Sequence, residues 1–454
     1  MTSISGRIAR QIEKLRRGGE LSVGPFTVIR TMYWSKIISR LTWLERWLAN
    51  SESESEALAS SADTKARRSV VFFHNCYYNF YYLAAALRRR GWDALSVSIE
   101  DPDGENAKFY HGNDLCLFDA DSKKFQKNLE TFFEEVEGRF KFVQFYGRGH
   151  MSMFPSEFDR GERYDHFPFD ILRLKRQGIK IGYSVCGCLD GVAQSSVADW
   201  SDGACNRCVW QKNPRICNDL GNLAWGHKFQ MLCDLVASEG FPALDYQSGE
   251  KVYREPLTTA LDPDFWHPNL PIPSQYRFAR SPGELIVYHA VGNYQLRSKN
   301  GRNLKGTDAV VDAVDRLRSE GMNVRLEFVT GVPNAEVRFF QIQADVIVDQ
   351  LNYGRYGATA REGMMLGRPT VCYINKKELV GERKLESIET CPLVSANEDS
   401  IYHVLRELLM DESKRQTIGI ASREFGMKWH SADACAQRFE EIYDRIVDHL
   451  RPTE

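Results

Sequence analysis

The sequence predicts an α/β protein made of two doubly wound domains, and three observations support this. Apolar segments typical of strands alternate with segments typical of helices, the pattern of parallel sheets covered by helices. The alternation occurs twice, and a proline-rich connection at 262–284 separates the two series. The 454 residues, 43% hydrophobic and 26% charged, are sufficient for two or three globular domains. Two such domains in succession form a cleft, where open α/β sheets bind ligands at the carboxyl ends of their strands.

The first series opens with SVVFFHN at 69–75. Its unbroken apolar run, ending in polar residues, is typical of a buried parallel strand. The further elements are helices at 81–91 and 169–178 and strands at 93–99, 141–147 and 180–185. We therefore predict an N-terminal domain over 69–270, interrupted at 186–225 by a cysteine-rich insertion.

The second series opens with ELIVYHAVG at 284–292. Its further elements again alternate between helix and strand, at 307–321, 323–331, 335–343, 344–351, 360–367 and 368–374. Two helices follow, at 400–411 and about 431–450. These segments predict a C-terminal domain over 271–430 and a last helical segment within 431–454.

Residues 1–68 lie outside both series. Apolar residues at helical spacing, three tryptophans and four basic side chains within 26–49 predict an amphipathic helix that can lie in a membrane interface. A helix docked on its own domain or on a partner explains this pattern equally well. Residues 51–68 are rich in Ser, Glu and Ala, which predicts a disordered linker. No run of 18 apolar residues and no apolar leader occur, so we expect neither a transmembrane helix nor a secretory signal.

Charge and cysteine usage narrow the class of protein. The 59 Lys and Arg nearly balance the 61 Asp and Glu, which argues against a nucleic-acid-binding protein. The eleven cysteines are odd in number and scattered, which argues against a secreted disulfide framework and favours the cytoplasm. Such a protein would be peripheral on the inner membrane if residues 1–50 bind lipid. Six isolated cysteines are predicted to be small buried residues: Cys76, Cys116, Cys233, Cys372, Cys391 and Cys435.

The insertion contains four further cysteines in a pattern suited to a metal, namely Cys188, Cys205, Cys208 and Cys217. A Cys-x-x-Cys pair with two more thiolates can form a tetrahedral zinc site, and a loop-rich segment with little core would gain from it. An iron–sulfur cluster, disulfides and free thiols remain alternatives. Cys186 is the spare residue.

The segment from Asp349 to Pro369 carries the most chemical information. It follows a strand, turns through glycines and opens a helix. Glycine lets the backbone approach a ligand closely, and a helix N-terminus attracts phosphate. Glu362, in the expected first turn of this helix, is suited to accept hydrogen bonds from ribose hydroxyls. The alternative is a capping Glu that interacts with the helix dipole.

This segment resembles the nucleotide-sugar motif of the family-4-like retaining glycosyltransferases of GT-B fold. That motif reads Glu-Gly-Phe-Gly, four residues, Glu-Ala-Met, two residues, Gly-x-Pro-Val. Gly357, Glu362 and Met364 fall on its second Gly, second Glu and Met, and Gly367 and Pro369 fall on its closing pair. The wording DQL…GxYG…E is similar to that of a bacterial surface-polysaccharide subgroup.

The chain departs from the family at the first Glu, where Gly354 stands. In the family this Glu contacts the sugar, so Asp349 and Gln350 are the expected replacements. The resemblance implies donor-binding roles for Asp349, Gly354, Tyr356, Gly357 and Glu362.

A second match lies at Arg302-Asn-Leu-Lys305-Gly306-Thr307. The family places an Arg and a Lys-Gly here, facing the donor diphosphate. The resemblance thus implies that Arg302 and Lys305 stabilise the leaving nucleoside diphosphate and that Gly306 contacts the donor. A solvated basic loop is the alternative.

Softer matches extend the resemblance over roughly 70–450. The phrase at 261–268 resembles the end of the family's first domain, and Asn79 matches an Asn of its acceptor-side loop. The tail at 423–447 resembles the family's last helices, which cross back onto the first domain.

The implied activity is transfer of a sugar, with retention, from a UDP- or GDP-sugar to a glycan or lipid-linked acceptor in surface polysaccharide synthesis. No cofactor is expected for catalysis, because basic side chains and helix dipoles replace a divalent metal. The family often has a His near the acceptor, for which His150 is the first candidate and His74 the second. His289 is expected to be structural.

Three other functions remain open. The missing first Glu favours a degenerate GT-B protein that acts as a nucleotide-sugar-binding scaffold. A GT-B relative of epimerase or phosphorylase type is the second alternative, and a metal enzyme centred on the cysteines is the third.

Overall fold

The computed structural model describes residues 68–448 except 75–76, 159–165, 202, 240–244, 246–250, 298–300 and 377–383. The predicted N-terminal helix, and the predicted linker up to residue 67, lie outside the described residues. Within them the chain forms two sheets, one before and one after a connection at 254–284. No described helix is long and apolar enough to cross a membrane.

The first sheet has seven strands, β1 (Ser69–Phe73), β2 (Asp93–Ser98), β3 (Leu115–Cys116), β4 (Phe142–Tyr146), β5 (Lys180–Ser184), β6 (Leu235–Ala237) and β7 (Val252–Tyr253). Their order is β3–β2–β1–β4–β5–β6–β7, and all neighbours run parallel. Val70 of β1 pairs with Ala94 on one side and Phe142 on the other. This central strand is fully buried, which explains its unbroken apolar sequence.

The described residues of this half contain the α-helices α1 (Asn79–Arg89), α2 (Ser122–Arg139), α3 (Phe169–Arg176), α4 (Gln194–Trp200), α5 (Ala204–Arg207) and α6 (Asp219–Leu232). Side-chain caps fix two of their starts, since Asp121 accepts from the first turn of α2 and Asn218 from that of α6. The predicted cysteine-rich insertion therefore contains two short helices, α4 and α5, and the start of α6.

The second sheet has four strands, β8 (Leu285–Ala290), β9 (Val324–Val329), β10 (Val346–Val348) and β11 (Thr370–Val371). Their order is β11–β10–β8–β9, again with all neighbours parallel. Where the structure describes this half of the chain, its α-helices are α7 (Tyr294–Arg297), α8 (Thr307–Ser319), α9 (Asn334–Gln341), α10 (Ala358–Met365), α11 (Glu386–Glu389), α12 (Ile401–Met410), α13 (Glu412–His430) and α14 (Ala432–Asp448).

Helix α13 was not predicted, because only two C-terminal helices stand out in the sequence. Its buried face consists partly of small or polar residues, including Gly419, Ser422 and Gly426, so apolar periodicity is weak. A Cβ at Gly426 would lie 3.2 Å from the Cα of Met365, and one at Gly419 would lie 2.5 Å from the carbonyl oxygen of Gly367. The missing side chains let α13 pack closely on α10 and the turn after it.

The last helix, α14, packs on the first sheet although it follows the second one. Phe439 lies 5.5 Å, between ring centroids, from Phe72 of β1, and Tyr443 lies 4.6 Å from Trp92. The two halves of the chain also meet beyond the ends of their strands, where a Cβ at Gly292 would lie 3.5 Å from Phe109. Because Gly292 follows β8 and Phe109 follows β2, the carboxyl ends of the two sheets face each other.

Candidate functional site

A cavity of about 510 Å³, including its open mouth, lies at the carboxyl ends of β8 and β9. Most of its wall belongs to the second half of the chain, and Phe109 of the first half closes one side. Open parallel sheets bind ligands at this position. Its main polar side chains are Arg297, Lys305, Asn334, Gln341, Thr359 and Glu362.

The start of α10 forms one wall, where Ala358 and Thr359 line the cavity. The helix begins here because Gly357, its N-cap, donates its backbone N–H to Asp349 Oδ2 at 2.7 Å. Asp349 directly follows β10 and is fully buried. The unpaired N–H groups of a first turn and the helix dipole give this end a partial positive charge. This wall is therefore suited to a phosphate.

Lys305 adds a full positive charge beside the helix start. It is only 5% exposed, and its Nζ donates to Asp349 Oδ1 and, at 3.4 Å, to Thr359 Oγ1. Gly306 caps α8 with φ +64°, and a Cβ there would lie 3.0 Å from Leu351 Cβ. This close approach holds the loop of Lys305 against the end of β10. An ammonium has three N–H donors, so one is left for a ligand.

Glu362 also lines the cavity, but it differs from the prediction in two ways. It is the fifth residue of α10, beyond the first turn, so it does not cap the helix. It is 2% exposed, and its carboxylate accepts hydrogen bonds from Tyr78 Oη (2.7 Å), Asn334 Nδ2 (3.0 Å) and Gln341 Nε2 (2.7 Å). Burial raises its pKa. Because Tyr78 precedes α1, this carboxylate ties the two halves of the chain together.

Arg302, for which the resemblance implies a contact with the donor diphosphate, does not line this cavity. Its backbone N–H bonds to the carbonyl oxygen of Leu296 at 2.7 Å, and its guanidinium lies 3.9 Å from the ring centroid of Trp210. Its Nη2 lies 3.2 Å from Cys188 Sγ. The ring and the sulfur hold the side chain in the cysteine cluster, and Arg297 takes its place in the cavity wall.

Sequence reasoning missed several polar groups of the cavity, namely those of Tyr288, Arg297, Asn334, Gln341 and Thr359. The Tyr288 hydroxyl and Gln341 Oε1 are buried and have no hydrogen-bond partner among the described residues, as expected of groups that a ligand would satisfy. The signal for Tyr288 is a lone hydroxyl in the apolar run of β8. Nothing in the sequence separates Arg297 from the other basic residues nearby.

Gly354 and Tyr356, predicted to bind the donor, do not line the cavity. Gly354 has φ +78°, and a Cβ there would lie 2.7 Å from Trp200 Nε1. Tyr356 is buried, and its Oη lies 3.0 Å from His430 Nε2. Gln350, an expected replacement for the missing Glu, donates to the carbonyl oxygen of Arg355. Of these three residues, Gly354 contacts the other half of the chain, through Trp200.

The two His candidates of the first sheet lie beside each other at its carboxyl edge. His74 follows β1 and His150 follows β4, and their ring centroids are 5.1 Å apart. His74 Nε2 lies 3.4 Å from Glu100 Oε1, and this hydrogen bond lowers the pKa of Glu100. Burial, with the nearby His74, lowers the pKa of His150 to about 4. His150 is therefore neutral at pH 7.

Two other candidates are buried. Asn79 starts α1 and does not line the cavity. His289 lies between the carbonyl oxygen of Val348 (2.9 Å) and Thr307 Oγ1 (3.0 Å), which confirms its structural role.

The four predicted metal ligands Cys188, Cys205, Cys208 and Cys217 line one small pocket. All ten described cysteines are free thiols. No group of three or more His, Cys, Asp or Glu among the described residues is arranged to hold a metal ion.

The isolated cysteines follow the prediction in part. Cys233, Cys372 and Cys435 are buried, and Cys391 is partly buried. Cys116 is exposed, contrary to the prediction, because it belongs to the short edge strand β3. Cys76 lies outside the described residues.

No protein-family model and no curated protein matches the chain. Among solved structures, a glycosyltransferase from Rickettsia africae ESF-5 is similar, with a TM-score of 0.50 and 11% identity over 85% of this chain and 99% of that one. Sucrose-phosphate synthase from Thermosynechococcus elongatus gives a TM-score of 0.48 and 13% identity over 84% of this chain and 100% of that one. HepE from Anabaena, in complex with UDP, gives a TM-score of 0.48 and 9% identity over 83% of this chain and 100% of that one.

At this identity, the likeness to the Rickettsia structure concerns the fold alone. With the two parallel sheets whose carboxyl ends face each other, it confirms the predicted fold class, two Rossmann-like domains of GT-B type facing a cleft.

Proposed function

We propose that the protein is a retaining glycosyltransferase of the family-4-like type. It transfers a sugar from a UDP- or GDP-sugar to a glycan or lipid-linked acceptor, in the synthesis of a surface polysaccharide. One observation carries the proposal: a buried ammonium, a guanidinium and a capped helix start line a single cavity between the two domains. The Rickettsia protein of the same fold is a glycosyltransferase, which supports this choice.

The donor diphosphate would lie between Lys305, Arg297 and the first N–H groups of α10. All three line the cavity, and each supplies positive charge without a divalent metal. When the bond to the sugar breaks, negative charge grows on the leaving diphosphate. Fixed donors in a water-poor site stabilise such charge strongly.

The rest of the donor would meet the deeper polar groups. Glu362 Oε1 accepts two hydrogen bonds and Oε2 accepts one, so the carboxylate retains acceptor capacity for a hydroxyl of ribose or sugar. The unpartnered Tyr288 hydroxyl and Gln341 Oε1 would complete this contact. In a retaining transfer the acceptor hydroxyl attacks from the face that the diphosphate leaves.

His150 would serve the acceptor side, in the domain that also carries Asn79. A neutral imidazole can accept a hydrogen bond from the acceptor hydroxyl, and its low pKa keeps it neutral throughout the physiological range. We expect His150→Ala to lower transfer about 10²- to 10⁴-fold and to leave the Kd for UDP unchanged. His403→Ala, on the exposed side of α12, is the control. Equal transfer rates for both variants would remove His150 from the mechanism.

The direct test is a donor screen. The protein is incubated with UDP-, GDP- and CMP-sugars and a mixture of glycan and lipid-linked acceptors, and mass spectrometry identifies the products. Arg297→Ala should lower product formation with the accepted donor, whereas Arg318→Ala, on the exposed side of α8, should not. Product formation that does not respond to Arg297→Ala would contradict the proposed site.

A binding scaffold is the second candidate, and Gly354 favours it. The family's first Glu cannot stand there, because any Cβ meets Trp200. A scaffold would bind one nucleotide-sugar by calorimetry and yield no product in the same screen. Turnover of any donor would exclude it. The membrane role of residues 1–50 remains a separate proposal, testable by flotation with anionic vesicles.

A further inference from the structure

The four-cysteine pocket is built from three separate segments of the first domain. Cys188 lies in the loop after β5, and Cys217 precedes α6. Cys205 lies within the short helix α5, and Cys208 directly follows it. Cys208 and Cys217 are buried, and Cys188 and Cys205 are partly buried. All four line the same pocket. Four thiols from distant positions converge here although the surrounding elements are short.

Two of the four sulfurs have side-chain N–H donors within hydrogen-bond distance. Arg302 Nη2 lies 3.2 Å from Cys188 Sγ. Gln194 Nε2 and Asn222 Nδ2 lie 3.4 and 3.6 Å from Cys217 Sγ. N–H donors directed at metal-bound ligands orient them and tune the metal. Four thiolates around a divalent ion carry a net charge of about −2, which a nearby guanidinium partly offsets.

We propose that Cys188, Cys205, Cys208 and Cys217 bind one Zn²⁺ ion as a tetrahedral thiolate site. The four thiols lose their protons to solvent as the metal binds. Since no three of these side chains are yet arranged as ligands, binding must draw the sulfurs together. Residues 208–218, which connect α5 to α6 and include Cys208 and Cys217, belong to no helix or strand.

The site also links the two domains. Directly after Cys208, the backbone N–H of Val209 donates to the carbonyl oxygen of Gly301 at 3.3 Å. The next residue, Trp210, stacks on Arg302 at 3.9 Å. These contacts hold the loop at 301–306, which also carries Lys305 of the cavity. The metal would therefore fix the position of this loop, a role independent of whether the cavity binds a nucleotide-sugar.

The first test is metal content. The full chain, purified without chelator under reducing conditions, should contain about one zinc ion per chain by elemental mass spectrometry. The double variant Cys205→Ser/Cys208→Ser should contain at least about tenfold less zinc per chain than the wild type. Cys116→Ser, which changes an exposed cysteine outside the pocket, should retain it. Undiminished metal in the double variant, or its loss in the control, would overturn the assignment.

A second test uses the wild-type protein, so it does not depend on a variant that folds. After removal of the metal, Co²⁺ should produce thiolate-to-metal charge-transfer bands and the intense visible bands of tetrahedral cobalt. Hydrogen exchange of the peptide containing 301–306 should be faster without metal. Absence of these cobalt bands refutes the zinc site. Acid-labile sulfide with iron, or two disulfides in the freshly purified chain, refutes it in favour of a cluster or a covalent staple.

Discussion

Replacing Arg297 with Ala tests which arginine binds the donor diphosphate, the one that lines the cavity or the one that matches the family motif. The family resemblance assigns this role to Arg302, whereas the structure places Arg297 in the cavity with Lys305. Arg302 instead contacts Trp210 and Cys188. The two residues lie in the same basic segment, and their truncation to Ala removes the same charge. A difference between the two variants therefore reports the position of the side chain.

The size of the effect follows from the kind of contact. A hydrogen bond to a charged group contributes about 1.5–3 kcal/mol, and about 1.4 kcal/mol corresponds to a tenfold change in Kd. Arg297 is partly exposed, so solvent screens its charge and the lower part of this range applies. We expect Arg297→Ala to raise the Kd for UDP about 10- to 30-fold. Arg302→Ala should change it less, because its effect reaches the cavity only through the loop.

Isothermal titration calorimetry with UDP and with GDP, at physiological ionic strength, measures these Kd values. Arg318→Ala is the control, since it removes an exposed arginine paired with Asp315 on α8. Circular dichroism checks that each variant is folded. The reasoning is refuted if Arg297→Ala binds as tightly as wild type while Arg302→Ala has lost affinity, because the motif assignment would then be correct.

Three further predictions concern stability, measured as the free energy of unfolding in urea. Lys305→Met should cost about 3–5 kcal/mol, because it leaves the buried Asp349 carboxylate uncompensated; adding Asp349→Asn should recover most of this loss, and no recovery would contradict the pairing. The pKa of Glu362 is raised in the folded state. Its contribution to the free energy of unfolding is therefore complete below the pKa that it has in the unfolded chain, and is lost as pH rises through the pKa of the folded state. Glu362→Gln should flatten this decline above about pH 4.5; an unchanged slope would refute the assignment. Gly354→Ala should cost about 1–3 kcal/mol, since its φ is +78° and its Cβ meets Trp200; a neutral effect would show that this contact can relax.

Local sequence identifies the sheets because parallel strands are buried on both faces. The strands β1 and β8 are mainly apolar. Residue order also predicts a helix after the glycine turn at 354–357, although α10 begins at Ala358, two residues before the predicted start. Helix α13 could not be predicted in this way. Its buried face includes Gly419 and Gly426, which carry no hydrophobic signal and matter only because the neighbouring turn and helix approach closely.

Residue order reveals the features that depend on short stretches of chain. These are the order of strands and helices, the phosphate-binding character of the α10 start and the convergence of loops at one edge of each sheet. Which side chains meet in the cavity depends on residues that are distant in the chain. Trp210 and Cys188 draw Arg302 away, and Tyr78 of the other domain engages Glu362. A charged side chain adopts the position with the best partners, and packing of the two domains determines where those partners lie.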